Sequence, residues 1–528
     1  MRAHIRLKRS GELDRIARVK EILTEHHLNL TGQEFSPSLM GSGVEHGELV
    51  VRQYLLVRCG GLKLNQALLF ALGEKGGRVV FYLPKEWRDI LEQHGFKIAH
   101  VRSSILWQLY VGAFLFYGLL QIIREILFGL FFRMNAKLVQ NKPHASFVDL
   151  GLGNLPSKID GIESHDVISW YLKWSGRAAG IEAIRHTVHK AQVAHVDGVQ
   201  VLPVWHVLPA LHGMRTIVSY LFWGARASII ATVDYLRGRW WHALLLNQAA
   251  LAAKVRLLPE DSLARHYLFH NSGWIYRPLW TYDAEHKKAS ILFYFYSSNC
   301  EGFKKTDGYP PIPYGWKAMS WSRYLVWDNY QADFVRRAVG NETNISVVGP
   351  IWFHASPIVM PKVSQSSVAV FDVTPHRSSR YCTLGIDGEF YTPEVANPFL
   401  EQISNSIEKL GLVMLWKRKR NIGRIAHPLY RRLANQLAKK KNVVLIDPDI
   451  SAIRVIEASA AVISMPFTST ALIAKEMGKP SVYYDPTGLL QLDDRAAHGV
   501  LILRGVVELE SWLSSEVAVY QTDLSELG

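Results

Sequence analysis

A run of hydroxyl side chains follows a short apolar segment near the C-terminal end of the chain. Residues 464–472 read Ser-Met-Pro-Phe-Thr-Ser-Thr-Ala-Leu, which predicts the end of a buried strand and the start of a helix at Thr468, Ser469 and Thr470. Free backbone N–H groups at a helix start attract anions, and the hydroxyls add further donors. The pattern therefore predicts a phosphate site, with ordinary N-capping by serine or threonine as the alternative.

His427 and Pro428 form a second candidate. Proline is favoured at the first position of a helix, so the preceding imidazole would lie at the helix mouth, where it could donate to a phosphate or a hydroxyl group. On its own the pair is as typical of a loop that precedes a helix. Both motifs, however, follow predicted strands of one sheet, so they can converge at its edge. No carboxylate or second histidine lies close in sequence, and we expect no metal ion at His427.

A strongly basic segment surrounds the His-Pro pair. Residues 412–441 carry ten basic side chains and no acidic one. The ten are Lys417, Arg418, Lys419, Arg420, Arg424, Arg431, Arg432, Lys439, Lys440 and Lys441. Lys417 leaves a predicted strand at its carboxyl end and Arg424 lies beside the pair, so we expect these two to contact a phosphate or an acidic ligand. The helical ones are equally typical of a solvated face. Because no aromatic–basic interleaving or helix-turn-helix pattern accompanies them, we expect no nucleic-acid partner.

Acidic side chains provide candidates for proton transfer. Abstraction of a proton from an attacking hydroxyl needs a general base. Asp387 lies in the segment Gly385-Ile-Asp-Gly388, where the glycines permit close approach of a substrate, although a turn aspartate fits the same pattern. Glu301, with Asn299, follows an apolar strand in the N-terminal half and is the acceptor-side candidate, so we assign catalysis to Asp387 and Glu301. Three further acidic residues lie in the region 372–394 around Asp387, namely Asp372, Glu389 and Glu394.

The elements that must position these residues alternate regularly. We predict strands at 368–373, 412–416, 443–446, 461–464 and 481–484, and helices at 394–409, 429–440, 450–459 and 468–477. Strands separated by helices form a doubly wound parallel sheet, whose ligands bind at the carboxyl ends of the strands. Strands at 289–296, 324–327 and 345–348, with a helix at 329–339, predict a second such sheet. The predicted fold class is therefore α/β, with two Rossmann-like domains.

The division of the chain follows from this alternation. Residues 354–365 contain two prolines and show little periodicity, so they are predicted to be a linker. They would join an N-terminal domain at 1–353 to a C-terminal domain at 366–505, which a terminal helix at 506–528 follows. Two such domains would enclose a ligand cleft, with both motifs on one wall.

Two apolar segments interrupt the N-terminal half. Residues 104–123 carry no charge and are long enough to span a bilayer, whereas residues 214–231 carry Arg215 and Arg226. Periodicity alone is compatible with a membrane span, with an in-plane membrane contact or with buried core helices.

We prefer an in-plane contact for these segments. A strand predicted at 78–84 belongs with the later strands, so a single crossing would divide one domain. We therefore predict helical insertions near 104–133 and 214–241 that dock on an anionic membrane surface. The exposed apolar face is expected near Trp107, Tyr110 and Phe114.

Composition sets the broader limits. The chain has 528 residues, of which 48% are hydrophobic and 20% charged, which excludes a disordered chain. Its formal net charge of +14 favours anionic partners. The three cysteines, Cys59, Cys300 and Cys382, lie far apart, which argues against a disulfide scaffold or a cysteine zinc site. The N-terminal segment lacks an apolar signal core, and we expect no cleaved secretion signal.

The hydroxyl-rich segment resembles a known signature. Pro466-Phe-Thr-Ser469 matches the motif of the bacterial polysaccharide-biosynthesis PFTS-motif proteins. The two-domain layout, and the segment that ends at Gly478-Lys479-Pro480, are similar to those of the GT-B glycosyltransferases. Many retaining enzymes of that fold have a glutamate where this chain has Ile473, which disfavours the retaining type that uses UDP- or GDP-sugars.

Three short segments together resemble bacterial sialyltransferases and Kdo transferases. They are the acidic residue before glycine at Asp387, the His-Pro pair and the Ser/Thr pair. The resemblance implies a CMP-activated acidic sugar as donor, with His427 and Pro428 on the CMP and with Ser469 and Thr470 on its phosphate.

The resemblance implies a GT-B glycosyltransferase of bacterial surface polysaccharide assembly. It would act at the cytoplasmic face of the inner membrane, as a peripheral or monotopic protein, and would need no cofactor beyond its nucleotide-sugar donor. CMP-nonulosonate or CMP-Kdo would donate the sugar to a glycan or lipid-linked glycan acceptor. A CDP-polyol phosphotransferase, whose family has a similar His-Pro and Ser/Thr arrangement, is an alternative. A non-catalytic, membrane-associated scaffold of the same fold is another.

Overall fold

The chain folds into two compact units. The computed structural model describes residues 10–25, 28, 35–73, 77–134, 143–151, 154–155, 166–176, 181, 183–188, 191–271, 276–351, 358–362, 367–376, 390–418 and 423–526. Unit 1 comprises Met1–Leu152, Arg177–Tyr294 and Pro313–Tyr324. Unit 2 comprises Gly153–Gly176, Phe295–Ile312 and Leu325–Gly528. The predicted linker at 354–365 lies largely outside the described residues.

The first sheet contains eight strands. They are β1 Ala145–Phe147, β2 Ala183–His186, β3 Ala194–Val196, β4 Val199–Pro203, β5 His266–His270, β6 Ser290–Tyr294, β7 Arg323–Val326 and β8 Ile345–Val347. Their order is β3-β4-β2-β1-β5-β6-β7-β8. Strands β2 to β4 thus lie on one side of β1, and β5 to β8 lie on its other side. The pairs among β1, β2, β4, β5 and β6 are parallel, and only β3 with β4 forms an antiparallel pair among those whose register is defined. The three predicted strands of this sheet are confirmed as β6, β7 and β8.

Helices precede and connect these strands. They are α1 Glu12–Glu25, α2 Pro37–Met40, α3 Gly47–Arg58, α4 Leu62–Gly73, α5 Lys85–Gln93, α6 His100–Met134, α7 Val167–Trp174, α8 Met214–Leu236, α9 Trp240–Leu257, α10 Trp280–His286, α11 Tyr314–Lys317 and α12 Asn329–Val339. The predicted helix at 329–339 is confirmed as α12, which Asp328 caps through its side chain.

Three apolar helices, α6, α8 and α9, pack against one another in unit 1. Nearly every side chain of α9 is buried. The other two helices are long and apolar enough to cross a membrane, over His100–Phe131 and Met214–Leu236, and the bent pair Pro37–Arg58 and Lys63–Gly73 passes the same test. Only 33% and 28% of the apolar windows of α6 and α8 are buried. The helical insertions are therefore confirmed, with much of their apolar surface exposed.

The predicted strand at 78–84 is wrong. This segment forms a single parallel bridge, between Val79 and Ile98, and belongs to neither sheet. The Phe81 N–H donates to Ser103 Oγ on α6 at 3.2 Å, so a helix side chain takes the place of a neighbouring strand. Helix α5 follows this segment directly.

The exposed face of α6 is not the predicted one. Trp107 packs edge-on against Trp240 with ring centroids 5.2 Å apart, and Tyr110 stacks on Tyr82 at 4.5 Å. Phe114 likewise lies against an aromatic neighbour within unit 1. The exposed apolar side chains recur at helical spacing on the other side, at Ile105, Leu109, Phe116, Leu120, Ile123, Leu127 and Phe131.

The second sheet contains six strands. They are β9 Ser367–Asp372, β10 Val413–Arg418, β11 Val443–Ile446, β12 Ala461–Ser464, β13 Ser481–Asp485 and β14 Leu501–Arg504. Their order is β11-β10-β9-β12-β13-β14, and every pair is parallel. The doubly wound parallel sheet is therefore confirmed, with β14 as a strand that the pattern did not predict.

Five helices accompany this sheet. They are α13 Pro393–Lys409, α14 Pro428–Leu437, α15 Ala452–Glu457, α16 Ser469–Glu476 and α17 Gly505–Glu526. Val368 and Val370 of β9 share one core cluster with side chains of α13, α14 and α17. Because strand order reverses after β11, right-handed crossovers place α15 and α16 on the opposite face, where they pack against each other.

Close packing of α6 against α9 depends on Gly118. A Cβ atom at this position would lie 2.6 Å from Leu246 Cβ and 3.0 Å from the backbone nitrogen of Asn247. Real Cβ atoms do not approach so closely, so the helices would have to separate to admit a side chain.

We expect Gly118→Val to lower the melting temperature, because overpacking a tight helix contact costs about 1–3 kcal/mol. Thermal unfolding followed by circular dichroism measures this. Gly73→Ala is the control, since nothing lies within 4 Å of a Cβ there. An unchanged melting temperature in Gly118→Val would show that the α6–α9 contact is not close.

Candidate functional site

The loop between β12 and α16 has a constrained shape. Phe467 adopts φ +60°, a left-handed conformation that costs roughly 1–3 kcal/mol in a bulky residue. Tyr391 donates its hydroxyl to Pro466 O at 3.0 Å, and Tyr483 donates to Thr468 O at 2.8 Å. Two tyrosine hydroxyls thus hold a strained turn, and the loop is fixed before any ligand arrives.

A cluster of hydroxyl groups lines this loop. Ser464 Oγ lies 2.8 Å from Thr470 Oγ1, which is 3.2 Å from Thr468 Oγ1. Thr468 occupies the N-cap position of α16, yet its hydroxyl donates to Met465 O at 2.8 Å and makes no capping hydrogen bond. Thr468 therefore does not cap α16 through its side chain, and backbone N–H groups at such a helix start attract anions.

A second segment of unit 2 approaches Ser469. The backbone N–H of Ser298 donates to Ser469 Oγ at 3.4 Å, and the two Oγ atoms are 3.3 Å apart. Phe303, from the same segment, packs on Phe467 with ring centroids 4.9 Å apart. Sequence reasoning missed Ser298 as a partner, because the only signal was a polar run at the end of β6.

Glu301 lies in an ion-pair cluster. Arg337 Nη1 donates to Glu301 Oε1 at 3.1 Å and Arg337 Nη2 donates to Oε2, while Arg495 Nη2 lies 3.5 Å from Oε1. The glutamate side chain is only 6% exposed. Because both of its oxygens are occupied by guanidinium groups, Glu301 is poorly placed to take a proton from a substrate. Asn299, its predicted companion, is exposed.

His427 and Pro428 begin α14, as predicted. The His427 N–H donates to Pro375 O at 2.8 Å, and its Nδ1 accepts from the Leu429 N–H at 3.3 Å. An acceptor at Nδ1 leaves the neutral ring with its proton on Nε2. The half-buried imidazole can therefore donate one hydrogen bond from Nε2.

Both motifs are anchored at the carboxyl end of β9. The loop of His427 bonds to Pro375, just beyond that strand, and the Met465 N–H donates to Phe371 O at 2.8 Å. The helices that follow, α14 and α16, lie on opposite faces of the sheet, so the motifs flank the strand end from two sides, and the prediction that both lie on one wall is wrong. Strand order reverses between β9 and β12, and such switch points are where parallel sheets bind ligands.

The other predicted site residues are placed less directly. Lys417 is buried, donates from Nζ to Pro448 O at 2.7 Å, and has its pKa lowered by burial. It therefore ties down the loop after β11. Arg424 lies in the turn Gly423–Ile425, and nothing is described of its side chain. Asp387 lies outside the described residues.

No metal site is evident among the described side chains. Within the described ranges, no three His, Cys, Asp or Glu side chains are grouped so that they could hold a metal ion. The donors of the site described above are hydroxyl, imidazole and backbone N–H groups.

A buried carboxyl group lies at the same strand end. Asp372, the last residue of β9, is 2% exposed and accepts a hydrogen bond from the Tyr430 hydroxyl at Oδ2, whereas Oδ1 has no hydrogen-bond partner among the described residues. Burial raises the pKa of Asp372 to about 6, and the Tyr430 hydroxyl and Arg418 oppose that effect. The group can therefore carry a proton at mildly acidic pH.

Comparison with known proteins gives one family and several distant structures. The family model described as polysaccharide biosynthesis PFTS motif protein matches residues 223–513. No curated protein matches the chain significantly.

Three solved structures illustrate the distant matches. UDP-GlcNAc 2-epimerase from Methanocaldococcus jannaschii, in complex with UDP-GlcNAc and UDP, is 10% identical over 71% of this chain and 92% of that chain, with a TM-score of 0.32. Os79 from O. sativa, in complex with UDP, is 13% identical over 70% of this chain and 89% of that chain, with a TM-score of 0.33. TarM from S. aureus is 13% identical over 52% of each chain, with a TM-score of 0.31.

The raised pKa of Asp372 predicts a pH-dependent stability. The ordinary value is 3.8 and the folded value about 6, so the contribution of the protonated group is fully present below about pH 4 and is lost as the pH rises to about 6. We expect the stability of the wild type relative to Asp372→Asn to fall by roughly 1–3 kcal/mol over this range. Urea denaturation at pH 4, 5, 6 and 7 measures it. A constant difference between the two proteins would contradict the raised pKa. Asp307→Asn, at an exposed aspartate, is the control.

Proposed function

The chain belongs to the polysaccharide biosynthesis PFTS motif family, and we propose that it is a GT-B glycosyltransferase that acts in the assembly of a bacterial surface polysaccharide. One observation carries the proposal: the PFTS segment forms the strained, hydroxyl-lined loop at the carboxyl end of β9 and β12. A rigid loop with several donors suits a leaving phosphate, because preorganised donors stabilise charge that develops during the reaction.

We propose a nucleotide sugar as the donor. The hydroxyls of Ser469 and Thr470 and the first N–H groups of α16 would donate to phosphate oxygens. His427 would donate from Nε2 to the phosphate or to a ribose hydroxyl. CMP-nonulosonate or CMP-Kdo is favoured within this class by the resemblance of the His-Pro and Ser/Thr pairs to CMP-sugar transferases.

The reaction proposed here forms a bond between an acceptor hydroxyl oxygen and the anomeric carbon of the donor sugar, while the hydroxyl proton passes to a general base, for which Asp387 is proposed. The bond from that carbon to the phosphate oxygen breaks, and the electron pair leaves with the nucleotide. A CDP-polyol phosphotransferase would instead attach a polyol phosphate to the acceptor oxygen and release CMP. Mass spectrometry of the product distinguishes the two, and a scaffold without catalytic activity would give no product.

We expect His427→Ala and Ser469→Ala each to weaken the binding of CMP by roughly 10- to 100-fold. A charge-assisted hydrogen bond contributes about 1.5–3 kcal/mol, and 1.4 kcal/mol is about tenfold in affinity. Isothermal titration calorimetry with CMP, CDP, UDP and GDP measures the loss and ranks the nucleotides. Thr470→Ala tests the second hydroxyl of the pair.

Lys439→Ala is the control for charge, since this lysine belongs to the same basic segment but follows the C-terminal end of α14, whereas His427 lies at the start of that helix. Its affinity for CMP should equal that of the wild type. Unchanged CMP affinity in both His427→Ala and Ser469→Ala would remove the basis of the donor site. Stronger binding of UDP than of CMP would refute the CMP donor alone.

We further propose that the protein docks on the cytoplasmic face of the inner membrane without crossing it. Gln53, before α6, donates to Ala318 O and accepts from the Arg277 N–H at 3.2 Å, and both partners follow α9. Strand β1, between α6 and α8, pairs with β5, which also follows α9. Gln53 before α6, β1 between α6 and α8, and β5 after α9 therefore all belong to unit 1. This arrangement supports an in-plane contact, because a helix that crossed the membrane once would separate them.

The surface of α6 and α8 suits an anionic lipid surface. The two helices run antiparallel, because Tyr235 near the end of α8 donates to Gln108 O near the start of α6 at 2.9 Å. Exposed apolar side chains of α8 extend the face of α6, namely Val218, Leu221, Phe222, Ile229 and Leu236. Exposed arginines accompany them, at Arg102, Arg124, Arg215, Arg226, Arg237 and Arg239. Apolar area and basic charge together are what interfacial helices use to bind membranes.

We expect the triple variant Leu109→Gln, Phe116→Gln and Leu127→Gln to lose vesicle binding by at least tenfold, since each exposed apolar side chain contributes about 1.5–3 kcal/mol when buried. Sedimentation with phosphatidylglycerol vesicles measures the bound fraction.

The matched control changes three equally exposed apolar residues of unit 2, by Leu489→Gln, Leu492→Gln and Val507→Gln. It should bind vesicles like the wild type. Equal binding by the α6 variant, or an equal loss in the control, would count against this docking surface.

A further inference from the structure

Arg58 ends α3 at the corner where this helix meets α4. The helix pair Pro37–Arg58 and Lys63–Gly73, which passes the same test of length and apolar composition as α6 and α8, is bent at this corner. The Arg58 side chain is exposed, and so is the apolar side chain of Val57 beside it. A basic residue suits the C-terminal end of a helix, but such an end does not require aromatic neighbours. The surroundings of Arg58 therefore need their own explanation.

Aromatic rings enclose the Arg58 guanidinium. Its Cζ atom lies 5.4 Å from the ring centroid of Tyr54 and 5.9 Å from that of Phe114 on α6, within the range of a cation–π contact. Tyr54 in turn packs edge-on against Tyr276, with ring centroids 5.5 Å apart. Tyr110 lies 4.9 Å from Phe114. Burial lowers the pKa of Arg58, yet the three tyrosines raise it above its ordinary value, so their hydroxyls lie close to the guanidinium.

The charge of Arg58 has no carboxylate partner in the described part of the chain. Arg52 of the same helix lies 3.9 Å from Glu48, whereas no described carboxylate lies within ion-pair distance of Arg58. Phenol groups are neutral at physiological pH, so the tyrosines around the guanidinium do not balance its charge. Arg58 can therefore pair with an anion from outside the protein.

A buried hydroxyl beside Arg58 supports an anion with several oxygens. Tyr54 is fully buried, and its hydroxyl, which Arg58 and Asn247 approach, has no hydrogen-bond partner among the described residues. A buried donor without a partner is unfavourable in a folded protein and needs a reason. A phosphate would supply one oxygen for this hydroxyl and two more for the guanidinium.

The site lies at the border of the proposed docking face. Because an α-helix has about 3.6 residues per turn, Phe114 and Tyr117 lie roughly a quarter of a turn around α6 from the exposed Phe116 and Leu120. When the apolar face of an in-plane helix enters a bilayer, its flanks lie at the level of the lipid headgroups. Side chains with an apolar body and a polar tip, such as the half-exposed Tyr117, suit that level. The phosphates nearest to Arg58 would then be those of the lipids.

We propose that Arg58 and the Tyr54 hydroxyl bind the phosphate of a membrane glycerophospholipid. The guanidinium donates to two phosphate oxygens, and the hydroxyl donates to a third. This inference rests on the proposed membrane docking and deepens it, because it adds a site for one headgroup to a contact made by apolar area and general basic charge. It does not depend on the donor site of unit 2.

Arg58→Lys separates a phosphate site from simple attraction of charge. Lysine keeps the positive charge but cannot donate to two phosphate oxygens in the planar geometry of a guanidinium. We expect this variant to bind phosphatidylglycerol vesicles roughly tenfold more weakly than the wild type, as measured by sedimentation. Arg18→Lys makes the same change at an exposed arginine of α1 and should bind like the wild type. Equal vesicle binding by Arg58→Lys and the wild type would overturn the site.

Tyr54→Phe removes the buried hydroxyl and keeps the ring. Because this hydroxyl has no partner in the described part of the protein, its loss should not lower the melting temperature, whereas vesicle affinity should fall by roughly tenfold. Tyr220→Phe is the matched control, since Tyr220 is equally buried but donates to Ala250 O at 3.1 Å. It should lower the melting temperature and leave vesicle binding unchanged. The same pattern in Tyr54→Phe would show that its hydroxyl is only structural.

Phosphatidylglycerol with short acyl chains tests the phosphate directly and identifies its source. Its phosphorus NMR resonance should shift when the wild type is added, and Arg58→Lys should need roughly tenfold more lipid for the same shift. Inorganic phosphate at the same concentration should not reverse the shift. A reversal would show that the site takes free phosphate and would overturn the lipid assignment.

Two further outcomes separate this site from the proposals on which it rests. If the wild type binds vesicles but does not shift the lipid resonance, the Arg58 site is wrong, while the apolar docking face stands. If the wild type binds no vesicles, the docking proposal is wrong and the site falls with it. The glycosyltransferase function is tested separately, by CMP binding and by analysis of the product.

Discussion

Parallel pairing around β9 is the constraint on which the candidate site depends. Because every strand of the second sheet runs in the same direction, the loops that leave their carboxyl ends meet at one edge. The registers set Arg418 beside Asp372 and Ser464 beside Phe371. The pairing of β10 with β9 brings the segment before His427 to the end of β9. The pairing of β12 with β9 brings the PFTS loop to the same end. Their convergence is thus a property of the sheet, and neither motif could produce it alone.

The alternation of apolar strands with helices was sufficient to predict five of the six strands of the second sheet, since strands buried on two faces read as continuous apolar runs, but only β6, β7 and β8 of the eight strands of the first. It failed where tertiary contacts decide. The segment 78–84 has the same apolar pattern, but Ser103 supplies the hydrogen bond that a strand would have made. Strand β14 was not predicted. It is only four residues long, begins with the exposed Leu501 and ends in arginine, so its own pattern does not indicate a strand, and it forms one by pairing with β13.

At the candidate site, the sequence predicted residue types better than their partners. His427 and the hydroxyl run were found from local signals, namely a helix-starting proline and a strand end followed by serine and threonine. The contact of Ser469 with Ser298 joins residues 171 positions apart, and no local signal announces it. Glu301 was predicted as a base because no arginine lies beside it in the sequence. The fold brings Arg337 and Arg495 to it from distant positions.

The pairing of β1 with β5 has a consequence for the order of events during synthesis. Ala145 pairs with His266, so β1 and the apolar helices α6 and α8 leave the ribosome before the strand and before most of the core that complete the first sheet. Pairing between distant segments is slow, and apolar surface that waits for its partner is prone to aggregate. A lipid surface close to the site of synthesis would cover α6 and α8 during that interval. The apolar face proposed for membrane docking would then first protect the nascent chain from aggregation and later hold the folded protein at the membrane.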